Sequence, residues 1–178
     1  MTPPPPVDPA GAAADDLAQV RRQLVSPSVE AGFDYWASLL NGRRFPARRE
    51  IDPTAIPRQL LKISLIDVSH DPLDFRIRLV GQHVRDRMGA MAGKRVVETV
   101  RPDQGLQNLL DRYSRCVQEA RPIRSLFRFR SLIPPHDETW VEAVSCPLSG
   151  EVPDRVDHIV TFAADGDFPT PGPGQEVP

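Results

Sequence analysis

The chain has 178 residues, 40% of them hydrophobic, and a formal net charge of −2, which suits one domain built on a single core. A charge so near zero sets up no global field for nucleic acid or an anionic membrane, and no apolar run approaches the ~18 residues that a membrane span needs. The opening MTPPPPVDPAGAAADD has neither the basic nor the apolar segment of a secretory signal, so a cytoplasmic location is expected, with Cys116 and Cys146 reduced.

Taken in order, residues 1–11 and 165–178 are rich in proline and glycine and are expected to be disordered tails. Residues 12–41 read as helices. Leu17, Val20 and Leu24 share one face of the first. Val29, Phe33, Trp36 and Leu40 recur at helical spacing in the second, which Asn41-Gly42 ends. Residues 42–164 form the main domain. Asp52 before Pro53 starts a short helical turn, because aspartate caps orphan N–H groups and proline suits the first helical position. Ile56-Pro57 stops it.

Two β-rich runs follow, Lys62–Val68 and Phe75–Val80, joined at His70-Asp71-Pro72. In the second, Phe75, Ile77 and Leu79 alternate with Arg76 and Arg78, the period of a half-buried strand. Gln82–Met88 is a short helix. Asp103–Ala120 is the longest one, with Leu106, Leu109, Leu110, Tyr113 and Val117 on its apolar face and Asp111, Arg112 and Arg115 expected to face water. Three strand-like runs close the domain: Ile123–Arg130, Thr139–Leu148 and Val156–Ala164. The fold class is α+β: a five-stranded antiparallel sheet with helices over one face and an N-terminal helical extension.

The stretch GRRFPARREIDPTAIPRQLL and the later FRIRLVG carry a resemblance to a bacterial, alphaproteobacterial family of PAS-like domains of unknown or sensory function. Matching residues include Tyr35-Trp36, Gly42, Pro46, Arg48, Ile51-Asp52-Pro53, Ile56-Pro57, Asp67, Phe75, Arg78-Leu79-Val80-Gly81, Gly93 and Pro147-Leu148-Ser149. Departures include Lys62, where the family usually has proline, and Gln82, where it has a small hydroxyl residue. The resemblance implies a PAS-like fold, a sensory role, and frequent pairing through the outer face of the sheet.

Catalytic constellations do not emerge. The four histidines, His70, His83, His136 and His158, form no metal-ligand spacing. No metal site and no cofactor is expected, although a haem or flavin stays open because one axial histidine suffices for haem. There is no nucleophile elbow and no phosphate-cradling glycine loop. Cys116 lies inside a helix and Cys146 inside a strand, where cysteine is a small hydrophobe. The expected activity is therefore not enzymatic.

A pocket is expected between the apolar sheet face and the Gln82–Met88 and Asp103–Ala120 helices. Its candidate walls are Ile77, Leu79, His83, Met88, Leu109, Tyr113, Phe127 and Phe129, with Tyr113 as polar handle. The same side chains would also serve as a filled core. Trp36, Arg76, Arg78, Arg128 and Arg130 are candidates for a partner surface, the arginines forming a basic sheet face. An alternative is a solvated face neutralised by Glu142 and Asp157. In the basic cluster Arg43-Arg44-Phe45-Pro46-Ala47-Arg48-Arg49, the cations either decorate a helix C-terminus or, through an Arg48–Asp52 pair, pin the crossing into the sheet. The function expected is a stand-alone sensory or signalling module that binds a small apolar ligand, a protein partner or a second copy, without nucleic acid or membrane insertion. The alternatives are a ligand-free dimerising adaptor and an uncharacterised enzyme.

Overall fold

The computed structural model describes residues 9–100 and 105–168. Helices α1 (Pro9–Gln23) and α2 (Pro27–Ser38) lead to a hairpin of β1 (Ile63–His70) and β2 (Leu73–Val80). Helices α3 (Gln82–Met88) and α4 (Leu106–Glu119) come next, then β3 (Ile123–Arg130), β4 (Glu138–Ser149) and β5 (Val156–Gly166). The five strands form one sheet in the order β2-β1-β5-β4-β3, with every neighbouring pair antiparallel. Of the expected tails, residues 1–8 and 169–178 lie outside the described residues; α1 already begins at Pro9 and β5 runs on to Gly166.

Local signals place the connections. Asp52 caps its short turn through Oδ1, which accepts from the Thr54 N–H at 2.8 Å. Arg43 donates to the carbonyls of Leu39 and Leu40 at the end of α2 and pairs with Glu50, so the basic cluster does decorate a helix C-terminus. The Arg48–Asp52 pair does not form; Glu50 takes the pinning role, accepting also from the Ala47 N–H at 2.7 Å. The hydrogen bonds from Arg43 and from the Ala47 amide hold the Glu50 carboxyl down at about 2. Gly81 is needed for close approach, since a Cβ there would lie 2.2 Å from the Leu60 carbonyl oxygen.

Because side chains alternate along each strand, the sheet presents two faces. α3 and α4 cover one. There Tyr113 meets Phe75 with ring centroids 5.4 Å apart, and the Cys116 thiol lies 3.4 Å from the Ser145 carbonyl oxygen. The N-terminal extension covers β4 and β5 on the other, where Gly32 of α2 lies so close to Phe162 that a Cβ would stand 2.5 Å from the ring. Trp36 is wholly buried there, tilted against Phe33, and its indole N–H donates to the Pro147 carbonyl at 3.0 Å. Trp36 is thus core and not partner surface: the apolar stripe, too continuous to leave wet, is covered by the chain's own sheet.

The seam of this packing is Glu142. Its carboxylate is completely buried, accepts from the backbone N–H groups of Val25 (3.0 Å) and Ser26 (2.7 Å) between α1 and α2, and pairs with Arg124 at 2.9 Å. Glu142 does not belong to a solvated face. Replacing it by alanine leaves the Arg124 charge and two N–H groups buried without an acceptor, so Glu142→Ala should cost about 3–5 kcal/mol in urea denaturation. Proteolytic cleavage between α1 and α2 should accelerate in parallel; a loss under about 1 kcal/mol would show that the seam tolerates an unpaired charge.

Candidate functional site

Between the sheet and helices α3 and α4 lies a cavity of about 150 Å³. Its body is apolar: Ile66 and Ile77 from the hairpin, Val84 and Met88 from α3, Leu109 from α4, and Phe127 and Val141 from the far strands. Of the candidate wall residues, Ile77, His83, Met88, Leu109, Tyr113, Phe127 and Phe129 all line it. Leu79 does not. A bulge between Leu65 and Ile66 pairs Ile66 with Ile77 but Leu65 with Leu79, so the alternation shifts at Arg78. Val80 then faces the cavity, and Leu79 turns to the opposite face with 47% exposure.

The polar end is built around Asp165, a residue assigned by the sequence to a disordered tail. β5 carries it to the rim, where Lys62 pairs with it at 2.8 Å and His83 Nε2 lies 2.9 Å away. Arg87 Nη1 stands at 3.6 Å. Burial opposes ionisation of Asp165, but the Lys62 hydrogen bond and the charges of Lys62 and His83 outweigh it and keep the carboxyl below the usual aspartate range. Arg87 is fixed from behind, because its carbonyl accepts from the Leu132 N–H at 2.8 Å, and its guanidinium lies 5.2 Å from the Phe129 ring centroid.

Arg112, expected in water, instead lines the cavity. Its guanidinium lies over Phe127 (5.3 Å) and Tyr113 (5.4 Å) and donates to Ser125 Oγ at 2.7 Å. The signal was present in its spacing: Leu109, Arg112, Tyr113 and Cys116 fall on one helical face, and a long stem lets an arginine share an apolar side. Both thiols are fully buried, and burial pushes them well above the ordinary cysteine value, so neither serves as a nucleophile at neutral pH.

The four candidate arginines do not form one surface. Arg76 and Arg78 project from β2 and Arg128 and Arg130 from β3, the opposite edges of the sheet, with three strands between them. Four inter-strand steps separate them by roughly 19 Å. Arg78 pairs with Asp67, Arg128 with Glu138, and Arg76 donates to the Gly93 carbonyl. Among the described residues, no group of three or more His, Cys, Asp or Glu side chains is placed to hold a metal ion, and no helix is long and apolar enough to cross a membrane.

Residues 24–104 match the PAS domain family. The fold is PAS-like. Similar solved structures include the LOV protein of Rhodobacter sphaeroides, at 15% identity over 65% of this chain and 68% of that one, with a TM-score of 0.44. The PAS-B domain of Drosophila melanogaster Cycle, with bound ethylene glycol, is 12% identical over 58% of this chain and 98% of its own, with a TM-score of 0.43. A PAS domain from Colwellia psychrerythraea is 12% identical, covering 64% and 97% of the two chains at a TM-score of 0.43. No curated protein matches the chain.

The depressed value of Asp165 has a definite sign. A carboxyl with a lowered folded-state value adds stability that is complete above the unfolded value near about 4 and fades as pH falls through the folded one. Asp165→Asn should therefore lose less stability than the parent on acidification from about pH 5 to about pH 2. Melting temperatures across that range measure it; identical acid limbs would mean that Lys62 and His83 do not favour the ionised form.

Proposed function

We propose that the PAS-like domain is a sensory or signalling module whose cavity takes a small, mainly apolar ligand. The observation that carries this reading is the cavity itself: about 150 Å³ left open at the point where sheet, α3 and α4 meet, with charged groups gathered at its margin. Close packing normally leaves few voids of that size in a domain, and binding sites combine an apolar body with a few convergent polar groups. The match of residues 24–104 to the PAS domain family supports the sensory class.

The mechanism is a population shift. A ligand that fits one arrangement of α3 and α4 over the sheet better than another favours that arrangement by its difference in affinity. Such a shift is passed on by association with another chain. A ligand-free adaptor is the second reading, favoured by the apolar pair Leu65 and Leu79, which the bulge places opposite each other at the β1–β2 end of the sheet, with Leu79 exposed.

Ala163→Phe separates the two readings. Ala163 lies on the cavity floor, so the added ring enters the open space. In the ligand-binding reading the variant keeps its stability within about 1 kcal/mol, and the rise in melting temperature that toluene gives the parent disappears. If the space closes on itself in solution, toluene leaves the parent unmoved and the variant loses about 1–3 kcal/mol through overpacking; the adaptor reading then takes precedence.

A further inference from the structure

The charges around the cavity do not balance, and the imbalance names a ligand class. Three permanent cations line it, Lys62, Arg87 and Arg112, against one carboxylate, Asp165. Lys62 is matched by Asp165, and Arg87 by Asp137 at 3.2 Å outside the cavity. Arg112 remains. Among the described residues no carboxylate approaches it within ion-pair distance; its one hydrogen-bond acceptor is Ser125 Oγ, and its Nε is buried without any partner. A guanidinium has five donors, and the faces of Phe127 and Tyr113 offset its charge without accepting in the plane of the fork.

One positive charge is thus left over in an apolar wall, with donors in excess of acceptors. A carboxylate answers both needs, because its two oxygens match the planar fork and its single charge closes the balance. A phosphate dianion would overshoot that balance. The remainder of the ligand has to be apolar and compact: the surrounding walls are Ile77, Val84, Met88, Leu109 and Phe127, and a cavity of about 150 Å³ is of the size that admits benzene. Building on the ligand-binding reading above, we propose that the cavity takes a monocarboxylate with a small apolar body, the carboxylate docked on Arg112.

The test is calorimetric titration of the full chain at neutral pH with benzoate and hexanoate, beside benzamide, hexanamide and benzylamine. At least one acid should bind about 10-fold or more tightly than its own amide, the range expected for a hydrogen bond to a charged group. That preference should shrink as salt is raised. Arg112→Met keeps a stem over Phe127 and Tyr113 and removes the charge, so it should bring acid and amide to parity. The comparison on the parent chain stands even if that variant fails to fold. Equal binding of acid and amide, or preference for the amine, overturns the carboxylate assignment and leaves ligand binding intact. No binding by any of the five at millimolar concentration overturns both.

Discussion

The buried carboxylate of Glu142 is the constraint on which the arrangement of the domain turns. An isolated charge in a protein interior costs several kcal/mol, so it persists only where its lone pairs are occupied. Here the occupants come from two distant places: Arg124 on the neighbouring strand and the Val25 and Ser26 amides between α1 and α2. Through the Val25 and Ser26 amides the carboxylate joins the N-terminal extension to the sheet at a fixed point, and hydrophobic contact fills in around that point. Gly32 against Phe162 and the Trp36 indole on the Pro147 carbonyl set the depth and rotation of α2.

With one face closed in this way, the two faces of the sheet differ in character. The α2 side is packed to the point where a single methyl group would collide. The α3–α4 side keeps a cavity, and α3, with just seven residues, none of them buried, and a glycine at each end, is attached lightly. Conformational adjustment follows the side with fewer buried contacts. The charged groups at the cavity margin come from three separate stretches of chain, Lys62 before β1, His83 and Arg87 on α3, and Asp165 at the end of β5, so a change in α3 alters their spacing directly.

Much of the fold was legible in the sequence, because alternation and helical spacing are local. The limits of β3 and α3 follow from Ile123–Arg130 and Gln82–Met88 as they stand, and Asp52-Pro53 marks its turn. What escaped is non-local. Arg76 and Arg128 have the same alternation on their own strands, and only the order β2-β1-β5-β4-β3 reveals that they lie on opposite edges. Leu79 was misplaced by one bulge, since a single extra residue reverses every later side chain. Seven of the eight candidate wall residues do line the cavity, yet its polar end was invisible: Lys62 and Asp165 meet across about a hundred residues, and glycine and proline around Asp165 mask the last turn of β5. Trp36 and Glu142 share one lesson. An apolar stripe does not name what covers it, and an acidic residue reads as surface until a partner segment closes over it.

The main chain beside β2 sets a limit on how such domains associate. The Ile77 N–H donates to the Lys94 carbonyl and the Ile77 carbonyl accepts from the Gly93 N–H, so the middle of that outer strand already has a partner. Among the described residues, β3 is the other outer strand of the sheet. A sheet with two open margins can add copies without end, as fibrils do. In this protein the middle of β2 is closed to strand addition, because Lys94 and Gly93 already hold its main chain.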